Sequence, residues 1–81
     1  MKNDNSLIEN INRLYTTEMG VGRIKRNLNI ETDNVAGYCK KKILNDHCRI
    51  CRQGKNWYCE IDNMIITVNA HSYTIITAHI T

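Results

Sequence analysis

The chain has no proline and no phenylalanine, only four glycines in 81 residues, and no lysine or arginine after Lys55. Without proline no turn can rely on a fixed φ, so glycine, asparagine and aspartate must make the chain reversals. Without phenylalanine the core has to be aliphatic, organised around the single Trp57 and four tyrosines. Long apolar runs are missing too. Stretches such as Met64–Ile65–Ile66 fall far short of the ~20 residues that cross a bilayer, and no apolar run follows Lys2 as a secretory leader would require. The expectation is a cytoplasmic protein with no membrane partner. A chain of this length makes one domain at most, residues 1–81. It buries roughly 60–65% of its unfolded surface, enough for one modest core and not for a deep enclosed chamber.

Charge is unevenly distributed. Eleven Lys and Arg against eight Asp and Glu give a net charge of +3. All eleven bases lie between Lys2 and Lys55, whereas Asn56 to Thr81 carries only Glu60 and Asp62. From Arg13 to Lys55 ten bases face four acids, a surplus of six. Such asymmetry points to RNA or another anionic partner, although solvated helix faces account for the same charges without any partner.

Hydrophobic spacing divides the chain into a helical part, about residues 6–44, and a sheet part, about 47–80. Ser6–Leu7–Ile8–Glu9 has the form of a capping box. Leu7, Ile8, Ile11, Leu14 and Tyr15 then continue one apolar stripe, which predicts a first helix to about Tyr15. Thr16 and Thr17 offer the cap of a second helix, carried by Val21, Ile24 and Leu28 and weakened by Gly20 and Gly22. Thr32 can cap a third, with Val35, Cys39 and Ile43 on one side and Lys40–Lys41–Lys42 at its C-terminal turn, where the helix dipole favours cations.

Beyond Asn45 the period falls to two. Asn45–Asp46, Gln53–Gly54, Asp62–Asn63 and His71–Ser72 separate runs rich in Ile, Val, Thr, Tyr and Trp. The fold class expected is α+β, with three N-terminal helices packed on one face of a four-stranded antiparallel β-meander. With two-residue turns, Trp57 faces Val68, Ile61 faces Met64, Ile66 faces Thr77, Val68 faces Ile75 and Ile50 faces Trp57. One face then holds Trp57, Cys59, Ile61, Val68, Ile75, Thr77 and His79 and receives the helices. The other holds Arg49, Asn56, Tyr58, Asn69 and Thr74, with Ile65, Ile76, Ala78 and Ile80 as an apolar remainder. That remainder makes a homodimer one expected partnership.

Three groups of residues could carry chemistry. Cys48–Arg49–Ile50–Cys51 is a C-x-x-C with Cys39, Cys59 and His47 nearby in sequence. It lacks the second pair that a zinc ribbon needs, and its two cysteines sit in a strand rather than a tight turn. Reduced, partly buried thiols are expected, with no metal and no cofactor. The second group is Arg49, Arg52, Lys55, Asn56, Trp57 and Tyr58, where cations could neutralise phosphate and an aromatic could stack on a base. Trp57 doubles as the main core anchor, and Arg49 opposite Tyr58 could equally be a cation–π pair. The third is His71–Ser72–Tyr73–Thr74 with Thr77 and His79, which supplies the residue types of a metal-free ribonuclease.

The segments Arg52–Gln53–Gly54–Lys55–Asn56–Trp57–Tyr58 and Ile66 to His79, with Thr16 to Val21 and Arg23 to Leu28, resemble a small bacterial family known only as a domain of unknown function. The resemblance spans nearly the whole chain and centres on Gly54–Trp57, Asn69–Tyr73 and Thr77–His79. The four cysteines are outside its pattern. It implies no activity. A weaker architectural resemblance links the helices-then-sheet order to barnase-like, colicin-like and RelE-like ribonuclease toxins, in which dispersed side chains on the sheet act on RNA. It implies a toxin-like, metal-independent ribonuclease with an antitoxin-like protein partner. His71 and Lys55 would then be catalytic, and Arg49, Arg52, Asn56, Tyr58, Asn69 and Thr74 would bind nucleic acid. The alternative expectation is a non-catalytic module or inhibitor that binds a protein or nucleic acid through the sheet face.

Overall fold

A computed structural model describes residues 6–81, so Lys2, counted in the charge above, lies outside the described residues. The element order is α1 (Ser6–Glu9), a 3-10 turn (Ile11–Arg13), α2 (Glu18–Leu28), α3 (Val35–Ile43), then β1 (Arg49–Gln53), β2 (Asn56–Ile61), β3 (Met64–Asn69) and β4 (Ile75–Ile80). The four strands form one antiparallel sheet in sequence order. The fold class is α+β.

The first helix is much shorter than its apolar stripe predicts. Asn10 leaves the helical region at φ −114°, ψ 27°, and its side-chain amide donates to Ser6 O at 2.9 Å, closing the helix after Glu9. Leu14 is extended at ψ 138° and buried. Tyr15 is thereby released from the helix and bridges Thr74 in parallel. The later caps follow the expected chemistry more closely. Thr17 Oγ1 accepts from Gly20 N at 3.0 Å at the start of α2. At α3 the cap is Asn34 rather than Thr32: Asn34 Oδ1 accepts from Gly37 N at 3.0 Å, while Thr32 Oγ1 accepts from Asn34 N at 3.1 Å. Gly20 has a specific reason to lack a side chain. A Cβ there would crowd the capping Thr17 Oγ1 at 3.1 Å, while meeting Ile75 O of β4 at an ordinary 3.9 Å, so the glycine leaves room for the cap.

The β2–β3 turn is Asp62–Asn63, with φ of 51° and 61°, the mirror-image geometry that matches the strand twist. The β1–β2 turn is displaced by one residue from its expected position. Gly54 (φ 63°) and Lys55 make it, so Gln53 faces Asn56, Ile50 faces Cys59 and Arg52 faces Trp57. A two-residue change of partner preserves the faces. The β3–β4 pair differs more seriously. A bulge between Thr67 and Val68 leaves Ile76 as an extra residue, so Val68 faces Ile75 but Ile66 faces Ala78 and Thr67 faces Thr77. Every side chain of β4 beyond Ile76 thus changes face. Ala78 is fully buried in the core and Ile80 stands opposite Met64, while Thr77 and His79 take the positions expected of those two. The apolar remainder that suggested a homodimer loses two of its four members.

The core joins Leu7, Ile24, Val35, Cys39 and Ile43 of the helices to Trp57, Cys59, Ile66, Val68, Ile75 and Ala78 of the sheet. Among its thiols, burial pushes Cys39 up to about 11. The Cys48 thiol lies against Cys59, and their hydrogen bond holds Cys48 below and Cys59 above the ordinary thiol range. Cys51 is exposed. Treatment of the native protein with a disulfide reagent at neutral pH is expected to modify Cys51 first and Cys48 next. Cys39 and Cys59 should react only after denaturation. Mass mapping of timed samples checks this, and early labelling of Cys59 would contradict the packing described.

Candidate nucleic-acid interface at one end of the sheet

The Gly54–Lys55 turn and the loop between β3 and β4 meet at the same end of the sheet. Asn56 is the register partner of Asn69, and Ala70 N donates to Lys55 O at 2.8 Å, which ties the two reversals together.

Asn69 organises the longer loop. Its Oδ1 accepts from His71 N at 2.9 Å, Ser72 N at 2.9 Å and Ser72 Oγ at 3.1 Å. Its own backbone is paired at both ends, accepting from Tyr73 N and donating to Thr74 O at 2.9 Å each. This is the short-range side-chain bonding that suits asparagine to turns. Tyr73 takes φ +63°, a left-handed conformation costly for an aromatic residue. Tertiary packing holds it there: its ring lies 5.4 Å from Trp57, and the Arg13 guanidinium stands 4.3 Å from its centroid.

Hydroxyls continue outward from Asn69. Ser72 Oγ and Thr74 Oγ1 are 2.7 Å apart, and Thr74 Oγ1 donates to Tyr15 OH at 2.8 Å. Because the phenol oxygen accepts that proton, the phenol's own hydrogen needs another acceptor. Tyr15 is half-exposed, and no described residue is recorded as taking it. Backbone bonds fix the tyrosine in place, Tyr15 N donating to Tyr73 O at 3.3 Å and Ile75 N to Tyr15 O at 2.9 Å.

Of the residues expected to form a site, Lys55, Asn56, Asn69, His71 and Thr74 come together here. Tyr58 lies two residues further from the end, on the face of Asn56, whose Nδ2 donates to the Tyr58 hydroxyl at 3.4 Å. Asn56 Oδ1 is buried with no hydrogen-bond partner among the described residues, an unfavourable arrangement for folding. Arg52 serves the turn: its Nε donates to Gly54 O at 2.9 Å and its guanidinium stands 5.6 Å from the Trp57 ring. Arg49 belongs to the far end. It faces Glu60 with an ion pair of 3.8 Å, rather than Tyr58, which faces Cys51. His79 faces Ile65, also toward the far end, and His47 lies before β1.

Tyr15 and Arg13 are the contributors that sequence reasoning did not assign to the site, and Ser72, named in the third group, was given no role of its own. Ser72 was visible within the Asn69–Tyr73 motif, but its bond to Asn69 depends on the loop geometry. Tyr15 fitted a helical stripe, and its partner Thr74 is 59 residues away.

Among the described residues, no three His, Cys, Asp or Glu side chains converge as metal ligands, and no helix is long and apolar enough to cross a membrane. No curated protein and no solved structure matches the chain, so the resemblance to ribonuclease toxins finds no counterpart among known structures. The Gly54–Trp57 and Asn69–Tyr73 motifs that converge here fall within the 8–79 segment matched by a family model described as protein of unknown function (DUF3781), and the chain belongs to that family.

Proposed function

We propose that this end of the sheet binds single-stranded RNA, with Lys55 and the Tyr15 hydroxyl directed at phosphate, and that it acts by binding rather than cleavage. The observation that carries this reading is the hydroxyl chain ending in a half-exposed phenol at the same end of the sheet as the exposed Lys55. Hydrogen-bonded chains polarise their last donor, and phosphate oxygens are acceptors only. No residue of Gly54–Tyr58 or Asn69–Thr74 is acidic, so nothing in the two turns opposes an anion.

One observation favours cleavage as a second reading: His71 and Lys55, both exposed, stand on turns that a backbone hydrogen bond ties together. Metal-free cleavage of RNA employs two proton-transfer groups. The other imidazole of the sheet, on His79, faces Ile65, four residues along β3 from Asn69 and so ~13 Å away at strand rise. A binding role needs no such partner.

Fluorescence anisotropy with a labelled single-stranded RNA, between 50 and 200 mM salt, tests the proposal. Lys55→Ala should weaken binding about tenfold and make the salt dependence shallower by ~0.7, the contribution of one phosphate contact on a single strand. Tyr15→Phe should weaken binding several-fold with no change in that slope. Absence of RNA binding at low salt would refute the proposal. Metal-independent cleavage abolished by His71→Ala would replace it with the ribonuclease reading.

A further inference from the structure

A second surface lies on α3, away from the sheet end. Two adjoining hollows of about 320 and 470 Å³ follow the outside of this helix and share Tyr38 and Lys41 in their walls. One reaches Asn45 past the helix end, the other Thr32 before its start. Together they make a groove along a helix ~13 Å long at 1.5 Å per residue.

The charge of this groove is positive and partly uncompensated. Lys42 bonds Asp62 at 2.6 Å and stands 5.6 Å from the Tyr38 ring centroid, so it fixes the aromatic and is itself neutralised. The carboxylate keeps the Lys42 ammonium above its ordinary range. Asp33, near the Thr32 end, is engaged by Lys25 at 2.7 Å. Lys40 and Lys41 have no recorded carboxylate partner among the described residues, although both line the groove. Asp46 follows Asn45 just beyond the groove and marks its limit. Two neighbouring cations beside a half-buried aromatic, flanked by asparagine and threonine, are the elements of a site that tracks a phosphodiester backbone.

We infer that this face of α3 is a track for the phosphates of single-stranded RNA, with Lys40 and Lys41 as the phosphate contacts and Tyr38, the helical neighbour of Lys41, packing against a base. The inference rests on the RNA-binding reading above for its ligand and adds a second, spatially separate contact. The strand is favoured over an acidic protein segment because it carries flat bases beside its charges, and Tyr38 next to Lys41 presents a ring on which a base can stack.

The test is anisotropy with the same labelled single-stranded RNA, comparing wild type, K40Q/K41Q, K41Q and, as a control of equal net charge, R23Q/R26Q on α2. Circular dichroism verifies that each is folded; both lysines lie on the helix exterior, and K41Q alone alters only an exposed side chain. K40Q/K41Q should bind about tenfold more weakly, with a salt slope shallower by ~1.4 for two lost single-strand contacts. K41Q should show about half that change in slope, and R23Q/R26Q should leave the slope near the wild-type value. A folded K40Q/K41Q with wild-type affinity and slope would overturn the track while leaving the sheet-end site intact if Lys55→Ala still weakens binding. Wild-type protein that ignores RNA would overturn both, and binding of polyglutamate in place of RNA, lost in K40Q/K41Q, would assign the groove to an acidic protein segment instead.

Discussion

Trp57→Ala is expected to remove most of the stability of the fold. The side chain is 1% exposed and is the largest fully buried one. Truncating a buried tryptophan costs about 3–5 kcal/mol, and a chain of this size is stable by only ~4–12 kcal/mol at the usual value per residue. The melting temperature should fall by roughly 12–40 °C, since 1 kcal/mol moves it by ~4–8 °C in small domains. A second consequence distinguishes this account from a general loss of core. Trp57 packs against Tyr73, whose φ of +63° persists because its ring is held in place. Tyr73→Gly relieves the backbone but removes the ring, so it should destabilise the wild type clearly and the Trp57→Ala protein much less. The two substitutions should therefore couple non-additively. Thermal denaturation followed by circular dichroism measures both effects, and simple addition of the two losses would contradict the proposed role of the contact.

Asn69→Ala should cost about 1–2 kcal/mol, the range of a lost cap or turn side chain whose donors can still reach water. The oxygen removed accepts from two backbone amides and from Ser72 Oγ. Its loss should free the His71 and Ser72 amides to exchange with solvent and disconnect the hydroxyls that lead to Tyr15. Asn69→Asp keeps an oxygen in the same place and should preserve the loop. Hydrogen exchange of these two amides separates the cases: fast in the alanine variant, slow in the aspartate variant. RNA affinity should fall in both, in the first through disorder of the loop and in the second through a carboxylate beside phosphate. Equal protection in wild type and Asn69→Ala would mean that Asn69 does not organise the loop.

The sequence foreshadowed the sheet better than the helices, for physical reasons that particular residues illustrate. Asp62–Asn63 was readable as a reversal because few residue types tolerate two successive left-handed positions. Gly54 was equally visible, but whether it opened or closed its turn was decided by the register of β1 against β2. The bulge at Ile76 left only a faint mark, the doubled Ile75–Ile76, after which Ile-Thr-Ala-His-Ile alternates regularly, and the doublet alone does not say which isoleucine keeps the core phase. Consequently Ala78 and His79 were assigned to the wrong faces. In the N-terminal segment Tyr15 satisfied a helical spacing, yet Asn10 ended the helix first and β4 recruited the tyrosine. At the candidate site, Asn69, Thr74, Lys55 and His71 were legible as residue types clustered near turns. The separation of Arg49 and the use of Arg52 within its own turn depended on strand register and were not.

Charge followed the same pattern. The surplus of bases before Lys55 was evident from composition, but its compensation was not. Lys25 and Lys42 find Asp33 and Asp62, 8 and 20 residues away, leaving Lys40, Lys41 and Lys55 as the described lysines with no recorded carboxylate partner. Those three lysines are the positions from which the RNA-binding account draws its salt dependence.

The most direct test of the central claim is to titrate isotopically labelled protein with a short single-stranded RNA and follow its backbone amide resonances at low and high salt. The account predicts shifts concentrated at Tyr15, Lys55–Asn56 and Asn69–Thr74, with a second group along α3, all diminishing as salt rises. Shifts confined to other surfaces, or an unchanged spectrum at saturating RNA, would contradict it.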